Sequence, residues 1–184
     1  MINDALDYIR RELRDHLGVT DAEVSIESAR VLNDAQNTEG AYITLVNVEE
    51  ETALRNLPHT ERVGGISQRR EPAVHLNLYL LFAFEFQTYA ASLLRLSQTI
   101  ELFQSKRSFS RENERATNPF PTNLDRLNFE IYNLNLEALN NLWGVMGGAY
   151  YPSLLYKMRI MQVRAAETTA GPEITQIHAE TIRR

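Results

Sequence analysis

Cysteine is absent from the 184 residues, which excludes disulfides, thiolate nucleophiles and cysteine-held zinc. Positive charge is scarce as well: 19 Lys and Arg stand against 24 Asp and Glu, a formal net charge of -5. Nucleic-acid binding rests on neutralising phosphates and polybasic membrane anchoring on the same basic residues, so the balance argues against both. No apolar run is long enough to span a bilayer. The opening MINDALDYIRRELRDHL carries acids and bases throughout, unlike the apolar centre of a signal peptide. Assembly in the cytoplasm is the expectation, with any export as part of a larger object. Internal repeats and low-complexity tracts are missing too.

What is present is ordinary for a soluble globular chain, with 43% hydrophobic and 23% charged residues. A domain of this size buries roughly 70% of its unfolded surface and needs no staple. One stretch organises it. Val74, Leu76, Leu78, Leu80, Phe82, Phe84 and Phe86 alternate with His75, Asn77, Tyr79, Leu81, Ala83 and Glu85. The first set is wholly apolar, and the second carries Tyr79, Leu81 and Ala83, so this strand belongs inside a sheet covered on both sides along its middle. From Tyr89 the period turns helical, with Tyr89, Leu93, Leu96, Ile100 and Phe103 on one face and Ala90 and Leu94 beside them.

Before this stretch, Ile2, Leu6, Ile9, Leu13 and Leu17 predict an amphipathic helix, capped by Asn3 or Asp4 and stopped by Gly18. A weak strand runs from Val24 to Leu32, a turn from Asp34 to Gly40, and a stronger strand from Tyr42 to Val48. A long polar connection from Glu50 to Glu71 contains Pro58, Gly64, Gly65, Arg69 and Arg70; another runs from Ser105 to Asp125. Connections beyond about 12–15 residues are usually functional or disordered. After the second, Leu127, Phe129, Ile131 and Asn133 mark a strand. Leu136, Leu139, Leu142, Trp143 and Met146 face inward from a short helix that Gly147 and Gly148 end. In a final strand from Tyr151 to Arg164, Leu154, Tyr156, Met158 and Ile160 share one face. AAETTAGP then reads as a linker. The expected class is α/β (α+β): a mixed β-sheet of about five strands with three flanking helices, residues 1–164 as one domain and 165–184 as linker and C-terminal interaction tail.

Chemistry is hard to find. His16, His59, His75 and His178 lack a second ligand at metal spacing, and His75 reads as a hydrogen-bonded, partly buried histidine. Glu49, Glu50 and Glu51 alternate faces at a strand end and do not converge as an acid–base pair would. GVMGG follows a helix where a phosphate cradle precedes one, and no serine sits in a nucleophile-elbow pattern. Phe109 alone interrupts the bases of the second loop, a poor stacking platform for nucleic acid. No catalytic, cofactor or metal residue is expected. The two long loops and the tail point instead to partners. Candidate contacts are Glu49, Glu50, Glu51, Arg69, Arg70, Lys106, Arg107 and Arg111, with Ile174 and Ile177 filling pockets if the tail adds as a strand to a neighbouring sheet edge.

Four stretches carry a resemblance: MINDALDYIRRELRDHL, YITLVNVEEE, HLNLYLLFAFEFQTYAASLLRLSQTIELFQ and LNLEALNNLWGVMGGAYYPSLLYKMRIMQV. In that order they resemble the cap, or tail-terminator, protein of extracellular contractile injection systems, of the antifeeding prophage and Photorhabdus virulence cassette type. The resemblance covers most of Met1 to Val163 and is weaker in both long loops and the tail. It implies a fold similar to phage tail terminators and a six-fold ring on the distal end of the inner tube. That ring would halt tube polymerisation and bond to the last sheath ring. Expected partners are further copies of the chain, the inner tube protein and the sheath protein, with no nucleic acid and no membrane insertion. Two other readings stay open: a small-molecule-binding or enzymatic domain with a site under the long loops, and a baseplate or adaptor component of the same machine.

Overall fold

The computed structural model of the chain describes residues 1–33, 39–51, 60–63, 66–69, 75–162 and 169–170. The expected central strand is β5 (Leu76–Glu85), with β2 (Gly40–Glu50) antiparallel on one flank and β8 (Ser153–Gln162) antiparallel on the other. Beyond β2 lies β1 (Val24–Ile26), parallel to it; beyond β8 come β7 (Leu124–Ile131) and β6 (Ser108–Phe109). The sheet therefore has six strands in the order β1-β2-β5-β8-β7-β6. Its mixed character with three helices is the expected architecture, and the extra strand is the two-residue β6 inside the second long connection.

Both faces of β5 are covered, as its alternation requires. Leu78, Leu80, Phe82 and Phe84 enter a large core with α1 (Ile2–Leu17) and α2 (Tyr89–Ser105). Leu81 and Ala83 enter a second core on the other face with Tyr42, Leu155 and Trp143 of α3 (Leu136–Val145). Aromatic rings knit the first core. Phe103 stacks on Phe129 at 4.3 Å and also meets Phe82, Phe109 and Tyr156. Asn135 caps α3 by accepting from the Ala138 amide at 2.7 Å, and Thr88 caps α2 through the Ala91 amide at 3.1 Å. Gly147 and Gly148 both take positive φ, ending α3 as expected. Gly40 is required by contact, since a Cβ there would lie 2.7 Å from the Glu23 carbonyl oxygen.

Five expectations are corrected. First, α1 begins at Ile2, so Asn3 and Asp4 sit within its first turn rather than at its cap, and Asp4 accepts from Asn123 at 2.7 Å. Second, the strand expected to reach Leu32 stops at Ile26. The Thr44 hydroxyl accepts from the Ala29 amide at 2.7 Å and donates to the Glu27 carbonyl at 2.6 Å, replacing the ladder, and the chain coils into a 3-10 turn over Ala29–Asn33.

Third, α2 buries only part of its apolar stripe: Phe103 is buried and Leu96 packs on the core, but Tyr89 and Leu93 are exposed. Ser92, Thr99, Leu102 and Phe103 are buried, while Tyr89 is 65% exposed and Leu94 is 55% exposed. Small side chains permit close approach to α1, and their hydroxyls are satisfied locally: Ser92 accepts from the Phe86 amide, and Thr99 donates to the Arg95 carbonyl. Arg95 fastens the crossing by donating to the Leu17 carbonyl at 2.7 Å. Fourth, Leu136 and Ile131 point outward, because α3 covers only part of its sheet face and β7 has left the core by its last residue.

Fifth, the connection from Glu50 to Glu71 contains a hairpin. Strands β3 (Thr60–Val63) and β4 (Ile66–Arg69) pair antiparallel, and β9 (Thr169–Ala170), within the linker stretch, pairs with β4. The order β3-β4-β9 repeats the order of the three central strands β2-β5-β8 from which these segments issue.

The corrected α2 face makes a sharp expectation. Phe103→Ala should cost about 3–5 kcal/mol, and Tyr89→Ala less than about 0.5 kcal/mol, by chemical denaturation. The reverse order would contradict the burial of only the later part of that stripe.

Candidate functional site

Among the described residues there is no group of three or more His, Asp or Glu placed to hold a metal ion. No described helix is long and apolar enough to cross a membrane.

The acidic run at the end of β2 divides its labour. Glu49 accepts from the Tyr79 hydroxyl at 2.8 Å and from Asn47 at 3.1 Å. Glu51 accepts from Asn77 at 3.1 Å and pairs with Arg159 at 2.9 Å. Glu50 is exposed. The Glu49 bond pushes the Tyr79 phenol up to about 12, with burial adding to the shift. His75 is buried, and among the described residues its Nδ1 has no hydrogen-bond partner, where a hydrogen-bonded histidine was expected; its carbonyl accepts from the Glu51 amide at 2.8 Å.

The second long connection is a folded strap lying on α1. Phe109 and Phe120 meet the Tyr8 ring edge-on, at 6.1 and 5.0 Å. Beside them Glu12, 1% exposed, accepts from Asn118 at 2.8 Å and Arg115 at 3.2 Å, with Lys106 at 3.6 Å. A buried carboxylate is tolerable only when paired and hydrogen-bonded, and these partners come from more than 90 residues away. Burial, with Glu12 next in order, pushes the Tyr8 phenol up, and the hydrogen bond to Glu12 raises the Arg115 guanidinium against its own desolvation.

The basic candidates of this loop have mixed fates. Lys106 also donates to the Asn113 carbonyl at 2.8 Å, and Arg111 to the Thr122 carbonyl at 2.6 Å. The Arg107 side chain is exposed, while its carbonyl accepts from Phe129 at 2.8 Å. Through Phe129, Met158 and Leu78, Arg107 lies in one cross-strand row with Val48, at opposite edges of the sheet. Arg69 falls in β4, opposite Thr60 and Thr169. Arg70, Ile174 and Ile177 lie outside the described residues.

Glu12 and Asn118 are the residues that sequence reasoning undervalued. Tyr8, Glu12 and Asp15 form a row beside the apolar stripe of α1, which is the one local signal. Two open clefts flank α3. One, of about 540 Å³, is lined by Val46, Glu49, Tyr79, Tyr132 and Leu142. The other, of about 580 Å³, is lined by Leu136, Leu139, Trp143, Val145 and Tyr150. His75 lines neither.

This mixed sheet, covered by two helices on one face and one on the other, is the fold of known tube terminators. The chain matches the sheath/tube terminator of an extracellular contractile injection system, PVC, in its extended state, with a TM-score of 0.65 at 16% identity, covering 100% of this chain and 64% of that one. It also matches the tube-terminating cap of the anti-feeding prophage, AFP, with a TM-score of 0.64 at 16% identity, covering 96% of this chain and 60% of that one. The chain thus spans under two thirds of the length of either. It belongs to the Pvc16 N-terminal domain family, whose model matches residues 5–176. No curated protein sequence matches it.

Two measurements check this geometry. Glu12→Gln removes one charged acceptor from the strap, a bond class worth about 1.5–3 kcal/mol, so amides from Phe109 to Phe120 should lose hydrogen-exchange protection before the sheet does. Unchanged protection there would refute the clamp. Because the folded Tyr79 pKa lies above its free value, the Tyr79–Glu49 bond stabilises fully below pH about 10 and is lost as pH rises through about 12. Ring-labelled NMR at pH 11 should find Tyr79 mainly protonated in the parent chain and largely ionised in Glu49→Gln.

Proposed function

We propose that this chain is a structural cap. It forms a hexameric ring on the distal end of the inner tube of a phage-tail-like contractile injection particle, ends tube polymerisation and holds the last sheath ring. The observation that carries the reading is the family match over residues 5–176 together with whole-chain likeness to two solved terminators. The surface chemistry is consistent with it. Exposed apolar side chains lie on both faces of the sheet, Leu94 on α2 and Leu136 on α3 among them, and a closed head-to-tail ring needs two different surfaces per subunit. The strap packs against α1 rather than roofing a chamber, which favours a role through shape over an enzymatic site under the loops.

On this reading the partners are further copies of the chain, the tube protein and the sheath protein, and assembly takes place in the cytoplasm. Residues 1–164 act as the terminator-like domain, and residues 165–184 as linker and interaction tail. The charges of Glu49, Glu50, Arg69, Arg70 and Arg107 steer the contacts, and Ile174 and Ile177 supply apolar anchors in the tail.

Electron microscopy of particles made without this chain tests the proposal. Tubes and sheaths of uncontrolled length, or none stably assembled, are expected. Normally capped particles of the usual length would overturn it.

A further inference from the structure

A ring of copies needs a defined joint, and two uncompensated charges stand at opposite edges of the six-stranded sheet. The acid is Glu49, on the β2 rim of the cleft of about 540 Å³ beside α3. Neutral donors hold its two oxygens, the Tyr79 hydroxyl at 2.8 Å and the Asn47 amide at 3.1 Å, and among the described residues no cation pairs with it. Lys157, in register with Tyr79, is committed instead to Glu130 at 3.5 Å. Tyr132 meets Tyr79 edge-on at 5.0 Å and is itself exposed, and Leu142 and Val145 add apolar wall. A carboxylate beside aromatic rings in an apolar cleft fits a guanidinium, which pairs with the acid while its plane lies on a ring.

The base is Arg107. Among the described side chains it is the one arginine or lysine without a partner; even exposed Arg111 and Arg126 are held, by the Thr122 carbonyl and by Glu112. Arg107 borders a hollow of about 200 Å³ floored by Phe103, Phe129 and Tyr156, with Ile131, 46% exposed, beside it. The free base thus has an exposed apolar neighbour, as the free acid has an apolar wall.

We propose that the cleft beside α3 binds the Arg107 guanidinium of a neighbouring copy, with that copy's Ile131 covering the apolar rim. A second copy is the occupant because the chain carries both halves of the contact and cannot join them itself. Three strands separate β2 from β6, roughly 19 Å at ordinary strand spacing, well beyond the reach of an arginine. Two clefts brought together would instead oppose acid to acid. Donor and acceptor on opposite edges make a head-to-tail contact, the kind that closes into a ring. The inference rests on the ring reading above and specifies its joint.

Charge exchange tests it on full-length chains assembled with the tube protein. Glu49→Arg or Arg107→Glu alone should lower the yield of rings roughly tenfold or more, read by native mass spectrometry, and both changes in one chain should restore it. Arg107→Lys gives a direct contact check. Carbodiimide should join the introduced amine to Glu49 between isotope-labelled and unlabelled copies, and Glu49→Gln should abolish that product. Rings that survive either single change and yield no such cross-link overturn the joint while leaving capping intact. A doubly exchanged chain that is folded by circular dichroism, yet as defective as the single variants, overturns the pairing of these two residues. Parent chains that associate with neither one another nor the tube overturn the joint and the ring together.

Discussion

Burial of β5 on both faces is the constraint from which the rest follows. A strand whose alternate side chains are Leu78, Leu80, Phe82 and Phe84 on one side and Leu81 and Ala83 on the other cannot lie at a surface. It must be flanked, and β2 and β8 flank it; it must be roofed twice, and α1 with α2 roof one face while α3 roofs the other. The two roofs differ in extent. The first core includes residues from α1, α2 and all six strands of the sheet, whereas α3 brings only Trp143 fully inside. Uneven coverage leaves apolar residues such as Leu136 outside both cores.

Charge is handled in two ways. Inside, the strap between α2 and β7 turns polar sequence inward: Glu12 collects Arg115, Lys106 and Asn118, and the rings of Phe109 and Phe120 close around Tyr8. Removing one member would strand the others, so the cluster fixes the path of a connection that has little regular structure. Outside, charges without such partners collect at the ends and edges of the sheet, with Glu50 at the close of β2 and Arg107 at the start of β6. Those positions remain available to other chains, at the cost of sensitivity to salt.

How far the sequence revealed this depends on whether the deciding contacts are local. Strand periodicity is local, and it located β2, β5, β7 and β8, with the even face of β5 entering one core and the odd face the other. Helix stops at Gly18 and at Gly147 and Gly148 are local too. The buried side of α2 is not local. Its stripe from Tyr89 to Phe103 suggested one face, yet of that stripe only Phe103 is buried, with Ser92, Thr99 and Leu102 beside it. Early termination of β1 rests on Thr44, 15 residues from Ala29, and the strap rests on Glu12, 103 residues from Arg115. The hairpin β3–β4 was legible in principle, since only Gly64 and Gly65 separate its strands, a pairing that favours two-residue turns. Among the candidate contacts, Glu49 and Glu50 emerged because they were consecutive and out of pattern, whereas Lys106 looked exposed and is internally bound.

The two edges of this sheet are finished differently. The β7 flank is covered by a two-residue strand and its strap, and the β2 flank by a three-residue strand that stops short. Short edge strands blunt uncontrolled pairing, so no copy offers a long flat edge on both sides. Two acidic runs ending Val48-Glu49-Glu50 would also repel one another if two copies met there edge to edge. Like-to-like pairing through this edge is thus disfavoured. On the capping role proposed above, a contact between unlike surfaces would be the kind that closes into a ring.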